Sequence, residues 1–277
     1  MSNASNKLYK DKIDDLVETL RQRRSLIVAL SGGVDSSLVA ALAHRALGQK
    51  AQAITIDSPL VPSGDLEDAK RVASEIGIKL TILELNELDI PGFSANPPNR
   101  CYLCKRFRFE QLRATAIEND FDTVVDGTNV SDLNEYRPGL KAAEELDVYS
   151  PLLEAGLSKE DTRKMASLMK LPIASKPANP CMATRIPYGQ PIELAKIERI
   201  EQAEECIRTL TGAKVLRVRD HGNLARIEFG KGEIDLLSNS TLSRYISQSL
   251  KQLGYTFVTL DLEGYRSGSF DQEYHSK

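Results

Sequence analysis

The sequence predicts an α/β protein: a parallel sheet flanked by helices, followed by a smaller C-terminal α+β domain. Three observations carry that expectation. Strands and helices alternate from residue 25 to about 129, the first strand runs straight into a glycine turn, and after Gln190 the alternation gives way to two strands close together. Such alternation implies parallel pairing through right-handed crossovers. The 277 residues exceed the usual size of one compact core, and the change of pattern divides them into domains 1–189 and 190–277.

A polar helix is expected near 8–23, then Ser25-Leu26-Ile27-Val28-Ala29-Leu30 as a buried strand, because an unbroken apolar run of that length suits a strand covered on both faces. In the next helix Leu38, Leu42 and Ala46, with Val39, Ala43 and Leu47, keep the three-to-four spacing of one packed face, and Gly48 closes it. A strand from Ala51 to Asp57, a helix over 64–76 and a strand from Lys79 to Leu85 repeat the unit. The stretch 90–99, rich in Pro and Gly, reads as a mobile loop. A helix near 103–119 leads into 122–128 as a further central strand. The C-terminal part is expected to hold a helix to Leu210, strands 214–219 and 223–229 joined at Asp220-His221-Gly222-Asn223, a long helix near 232–253 and a strand over 255–261. That turn has good hairpin chemistry.

Composition excludes some classes. No segment approaches the roughly 18 apolar residues of a membrane span, and the first residues lack the apolar core of a secretory signal, so the expectation is a cytoplasmic protein without a membrane partner. A net charge of −3 argues against a nucleic-acid footprint and leaves a small anionic substrate fully compatible. Four cysteines in that compartment are expected as thiols or metal ligands.

Ser31-Gly32-Gly33-Val34-Asp35-Ser36 lies between the first strand and its helix. Two glycines let the backbone approach an anion, and the helix start presents free amides with about half a unit of positive charge. Ser31, Ser36 and Ser37 add hydroxyl donors. An ordinary capped turn is the competing reading for Gly-Gly alone. In doubly wound sheets ligands gather beyond the carboxyl ends of strands, where Ser31, Asp57 and Asp126 through Asn129 all fall. The Gly-x-x-x-x-Gly-Lys-Ser/Thr pattern of a Walker loop is missing.

A buried strand running into Ser-Gly-Gly-Val-Asp-Ser and then a helix resembles the PP-loop ATP pyrophosphatase (adenine nucleotide alpha hydrolase-like) family. The resemblance implies a loop of Ser31, Gly32, Gly33, Val34, Asp35 and Ser36 that grips the pyrophosphate end of ATP while an adenylate forms on the substrate. It makes Asp35, Asp126 and Glu135 candidates to hold Mg2+, with helix or turn capping as the competing role, and places Asp57 near the adenosine. Beside the loop itself, the stretches 126–129, 134–141, 181–189, 217–221 and 264–268 sharpen the likeness. On these the chain resembles the LarE family of ATP-dependent sulfur transferases, which make the nickel-pincer nucleotide. The implied substrate is pyridinium-3,5-biscarboxylic acid mononucleotide, a small-molecule nucleotide, and Gly127 and Asn129 join the nucleotide-binding set.

Cys101 and Cys104 stand three residues apart at the start of a helix, able to face one ion or cluster, and Cys181 follows in a Pro-rich loop. Three thiolates would leave one iron of a cubane cluster open, whereas a structural zinc site wants four ligands. The resemblance implies a 4Fe-4S cluster carrying exogenous sulfide on these three, or alternatively sacrifice of the Cys181 sulfur itself. Cys206, beside Ile207 and near Ala203, reads as core. Arg217 and Arg219 alternate onto one face of a strand, and Arg185 follows the Cys181 loop; all three suit the substrate phosphate, against a reading as solvated strand charges. Arg226, on the neighbouring strand, stands with these three, while Tyr188 and Arg266 are lesser candidates. Family members assemble symmetrically, so a homo-oligomer is expected. Two rivals stay open: a PP-loop enzyme that thiolates transfer RNA, and a nucleotide-binding module without turnover.

Overall fold

The computed structural model describes residues 3–134, 138–237 and 239–270. Glu135, one of the three carboxylates considered for the metal, lies outside the described residues. The chain forms two compact units, Met1–Glu87 with Asn99–Asn179, and Leu88–Pro98 with Pro180–Lys277.

The first unit contains α1 (Asn3–Arg21), β1 (Leu26–Ala29), α2 (Val34–Leu47), β2 (Ala51–Asp57), α3 (Ser63–Ile76), β3 (Lys79–Glu84), α4 (Arg100–Glu118), β4 (Thr123–Val125), α5 (Gly139–Glu145), α6 (Pro151–Glu154) and α7 (Lys159–Leu168). Its sheet runs β3-β2-β1-β4, and every pairing is parallel. The two-residue period of β1 divides its side chains between two cores. Leu26 and Val28 join Leu38, Leu42, Ala51 and Ala53 on the face covered by α1 and α2. Ile27 joins Ile54, Val124, Phe109 and Leu112 on the face covered by α4. Both faces are dry, which is why the strand is apolar without interruption, and each such side chain contributes about 1.5–3 kcal/mol on burial. β4 is shorter than the strand expected over 122–128. At Asp126 the chain turns away, its amide N–H donating a hydrogen bond to the Tyr149 carbonyl (3.0 Å). The helix α7 starts at a capping box, in which Ser158 and Asp161 satisfy each other's backbone amides.

The second unit contains α8 (Leu194–Thr211), β5 (Leu216–Asp220), β6 (Leu224–Phe229), α9 (Ser240–Gln252) and β7 (Phe257–Leu260). Its sheet runs β5-β6-β7; β5 and β6 form the expected antiparallel hairpin, and β7 lies parallel to β6. The helix expected near 232–253 begins only at Ser240, because the Asn239 side chain accepts the amides of Thr241 and Leu242 and caps it there. The stretch read as a mobile loop is instead packed: Phe93 and Asn96 are buried. Asn96 donates to the carbonyls of Ile186 (3.3 Å) and Pro187 (2.8 Å), and its own carbonyl accepts from the Gly189 amide (3.0 Å). Proline and glycine signalled irregular backbone there, and long-range hydrogen bonds order it. Cys206 is half-buried rather than core, because the buried face of α8 is formed by Ile197, Ile200, Ala203, Glu204 and Ile207. Among the described residues no helix is long and apolar enough to cross a membrane.

Candidate active site

The glycine turn follows β1 and opens directly into α2. Gly32 has φ +70°, a left-handed backbone open to glycine, and a Cβ there would collide with the Asp65 carbonyl oxygen at the start of α3. Gly33 is the N-cap of α2 and supplies no side-chain cap, so the first amides of the helix are left for an anion. The serines shape the turn: the Ser31 amide donates to Ser36 Oγ (3.1 Å), and the hydroxyls of Ser36 (3.2 Å) and Ser37 (2.7 Å) donate to the Gly33 carbonyl. Gly127 closes the other side, where a Cβ would stand 2.6 Å from the Ser36 amide nitrogen. The turns after β1 and β4 thus touch backbone to backbone.

Four polar residues surround this turn. Asp35, in the first turn of α2, accepts the hydroxyl of Thr162. Burial pushes its carboxyl above the ordinary carboxylate range, offset in part by that hydroxyl and by the charge of Lys159. Asp126 is buried and accepts from the Thr128 amide (3.0 Å) and hydroxyl (2.6 Å), from Ser150 Oγ (2.7 Å) and from Lys105 Nζ (3.4 Å). Asn129 is fully buried; its Oδ1 accepts from the Ser131 amide, while its Nδ2 has no hydrogen-bond partner among the described residues. A buried amide donor left over beside a phosphate-type turn fits a nucleotide oxygen. Asp57, at the end of β2, is exposed, so it is open to a ligand without being held for one.

Lys176 is a residue that sequence reasoning passed over. Its Nζ lies 3.2 Å from the Gly32 carbonyl oxygen, 2.7 Å from Asp65 and 2.6 Å from Asp68. Burial works against the Asp68 carboxylate, yet the hydrogen bonds of Lys176 and Arg71 hold it below the usual range. A lone lysine before Pro177 carries little signal in sequence; only the fold places it on the glycine turn. Lys105, which also pairs with Asp126, was equally silent, being one of many bases on α4.

Cys101 and Cys104 occupy the first turns of α4 in the first unit, and Cys181 lies in the second. All are free thiols. Among the described residues no three His, Cys, Asp or Glu side chains are grouped as a metal ion requires.

In the second unit, Arg185 is fully buried. It reaches Glu204 through Nε (2.9 Å) and Nη2 (3.2 Å), and its Nη1 donates to the carbonyls of Pro180 and Cys181. Its guanidinium therefore organises the Cys181 loop. Glu204 also accepts from Arg208 (2.7 Å) and the Val218 amide (3.1 Å). Desolvation opposes its charge, and Arg185 nonetheless holds the carboxyl below its usual value. Arg219 reaches Oε2 of buried Glu228 through both Nε (2.9 Å) and Nη2 (2.7 Å) and donates to the Thr184 carbonyl. Arg217 is placed differently: it is buried, the Tyr265 ring lies 5.0 Å from its guanidinium, and burial together with the charge of Arg185 pushes it down to about 10. Phe270 covers Arg219 and Arg226 at 5.3 and 5.6 Å.

A parallel sheet whose first strand delivers a Ser-Gly-Gly turn to a helix start, with a second glycine turn packed against it, defines the PP-loop ATP pyrophosphatase class. The NAD synthase family model matches residues 6–129. Over 256 residues the chain is 35% identical to the pyridinium-3,5-bisthiocarboxylic acid mononucleotide synthase of Lactiplantibacillus plantarum, covering 91% of each. The chain belongs to the family of that synthase. It is also 40% identical to an uncharacterised protein of Synechocystis, over 96% of this chain and 98% of that one. A more distant likeness, 30% identity over 58% of this chain and 56% of the other, reaches a glutamine-hydrolysing GMP synthase polypeptide of Methanococcus maripaludis.

Proposed function

We propose that the chain is an ATP-dependent sulfur transferase that converts the carboxylates of pyridinium-3,5-biscarboxylic acid mononucleotide to thiocarboxylates. The observation that carries this reading is the uncapped start of α2 behind Gly32 and Gly33, with Lys176 Nζ 3.2 Å from the Gly32 carbonyl. That arrangement offers amides and one cation to a polyphosphate.

A substrate carboxylate oxygen attacks the α-phosphorus of ATP, the bond to the bridging oxygen breaks, and pyrophosphate leaves with that electron pair. Sulfide then adds to the carbonyl carbon of the acyl adenylate, and AMP departs with the former carboxylate oxygen. One round yields one thiocarboxylate, and a second round treats the other carboxylate. Ser31, Gly32, Gly33, Val34 and Ser36 hold the departing pyrophosphate, and Lys176 leaves Asp65 and Asp68 to neutralise it. Gly127 keeps the two turns in contact, Asn129 donates its spare amide proton to the nucleotide, and Asp57 faces the adenosine. Asp35 and Asp126 are the carboxylates that would hold Mg2+, which would supply positive charge to offset what builds on the departing pyrophosphate. In the second unit Arg217 takes the substrate phosphate, with Arg219 beside it, while Arg185 fixes the backbone of the Cys181 loop.

Soft thiolate donors fit an iron-sulfur cluster better than a hard cation. Cys101 and Cys104 present two such donors on one helical face, and with Cys181 they would hold a 4Fe-4S cluster, which supplies a binding place for sulfide when present. The working form is a cytoplasmic homo-oligomer, with 1–189 as catalytic domain and 190–277 serving substrate binding and assembly.

The test is anaerobic turnover with ATP, sulfide and the biscarboxylate, followed by mass analysis of product and chain. Thiocarboxylate product with an unchanged chain mass supports the reading, and Cys101→Ala should lose bound iron while retaining adenylation. Loss of the elements of H2S from the chain would move the sulfur source to Cys181; no thiolated product at all would sink the proposal.

A further inference from the structure

A cavity of about 470 Å3 opens in the first unit along the outer edge of β4. Arg23, which precedes β1, and Thr123, which opens β4, help line it. It therefore sits toward the amino ends of these strands, whereas Ser31 and Asp126 follow the carboxyl ends. Its volume falls in the range of small-molecule sites.

One wall is apolar, built from Ala116, Ile117, Phe121 and Val148. Ile117 is 74% exposed, so most of its side chain stands against solvent. Tyr149 faces the same space, and the Arg23 guanidinium lies 4.4 Å from its ring centroid. Among the described residues that guanidinium makes no ion pair and no hydrogen bond. A guanidinium held this close to an aromatic ring and otherwise unpaired keeps its N–H donors available to a carboxylate, which arginine can grip bidentately. Arg113 adds a second cation; it donates to the Leu146 carbonyl, and Asp147 lies 3.8 Å away. Because the Asp147 side chain is 93% exposed, that pair is weak and an entering anion can replace it. Asp122 is likewise exposed at the rim.

We infer that this cavity is a binding site for a planar aromatic carboxylate, its carboxylate on the Arg23 fork and its rings between Tyr149 and the Ile117 and Phe121 wall. The site is separate from the nucleotide turn and connected to it. The Tyr149 amide donates to Val124 (2.9 Å), the Tyr149 carbonyl accepts from the Asp126 amide (3.0 Å), and the neighbouring Ser150 hydroxyl holds the Asp126 carboxylate (2.7 Å). An occupant stacked on Tyr149 therefore bears on the segment that fixes Asp126.

The chain contains no tryptophan, so the emission of a naphthalene probe is read without indole background. Titration of 2-naphthoate into the full chain should give saturable binding, weakened about tenfold or more in Arg23→Ala, the loss expected when a bidentate charged contact is removed. Ile117→Asp should weaken it similarly by placing a carboxylate on the apolar wall. Arg45→Ala, which removes an exposed arginine that does not line the cavity, should leave binding unchanged, and 2-naphthamide should compete poorly. Thermal melts matching the parent chain would show that the variants are folded. Equal binding by Arg23→Ala, equal competition by the amide, or no saturable binding by the parent would each overturn the assignment.

Discussion

On the proposed function, the two units would meet anions by opposite means. At the glycine turn of the first unit the donors are backbone amides, and the nearest cation, Lys176, is held aside by Asp65 and Asp68. In the second unit the donors are buried guanidiniums, and each is already engaged: Arg185 by Glu204, Arg219 by Glu228, and Arg217 by the Tyr265 ring. A dipole site costs little when empty, since the amides of a helix start can be hydrated. A buried charge cannot be left unpaired without losing several kcal/mol. The first region suits a nucleotide that arrives and leaves in pieces. In the second, Arg217 is pushed down to about 10 by burial and the charge of Arg185, so on the proposed function it would gain most from an incoming phosphate.

The sharpest way to break this contrast is Gly32→Ala. The left-handed backbone alone costs a β-carbon about 1–2 kcal/mol, and the collision with the Asp65 carbonyl forces the turn to move. ATP affinity should fall about 100-fold or more, an effect of the size that steric reorganisation adds to that strain. Calorimetric titration showing affinity within threefold of the parent would remove the turn from the site. Glu204→Ala tests the other region: it strands the fully buried Arg185, so unfolding free energy should drop by about 3–5 kcal/mol, read from denaturant melts. Arg217→Ala should raise KM for the mononucleotide about tenfold or more, as for loss of a charged bidentate contact, while ATP affinity stays unchanged. Parallel loss of both would merge the two regions into one.

Asp35 supplies a pH test. Its folded carboxyl lies above the reference value of 3.8, so the folded chain holds its proton to higher pH than the unfolded chain. Its contribution to stability is therefore fully present at low pH and is lost as pH rises through the folded value. Asp35→Asn should flatten that part of the stability profile and remain at least as stable as the parent at neutral pH, yet lose Mg2+-dependent turnover. A profile identical to the parent's would place the raised carboxyl elsewhere. The smallest effect is expected for Tyr255→Phe, which removes one hydrogen bond to buried Asp220 (2.9 Å) and should cost about 1 kcal/mol in thermal melts.

Much of the first unit was legible because its signals are local. The unbroken apolar run of β1, the glycine turn and the spaced apolar face of α2 each report their own conformation, and β2 begins and ends where the alternation predicts. The helices α5, α6 and α7 escaped notice because they are short or begin within polar sequence; the capping box Ser158 to Asp161 was the readable sign of α7. Site residues defined by long-range contact were illegible. Lys176 meets Gly32 across 144 positions, and Thr162 meets Asp35 across 127. Arg185 was visible as an arginine near Cys181, but nothing local marks its partner Glu204, and only burial separates it from exposed Glu205.

The most direct test is pyrophosphate release from ATP by the purified chain supplied with sulfide, measured with and without pyridinium-3,5-biscarboxylic acid mononucleotide. Pyrophosphate and AMP in equal amounts, formed only with the mononucleotide and abolished by Gly32→Ala, are the expected result. Release of ADP and orthophosphate, or an ATP turnover indifferent to the mononucleotide, would contradict the assignment.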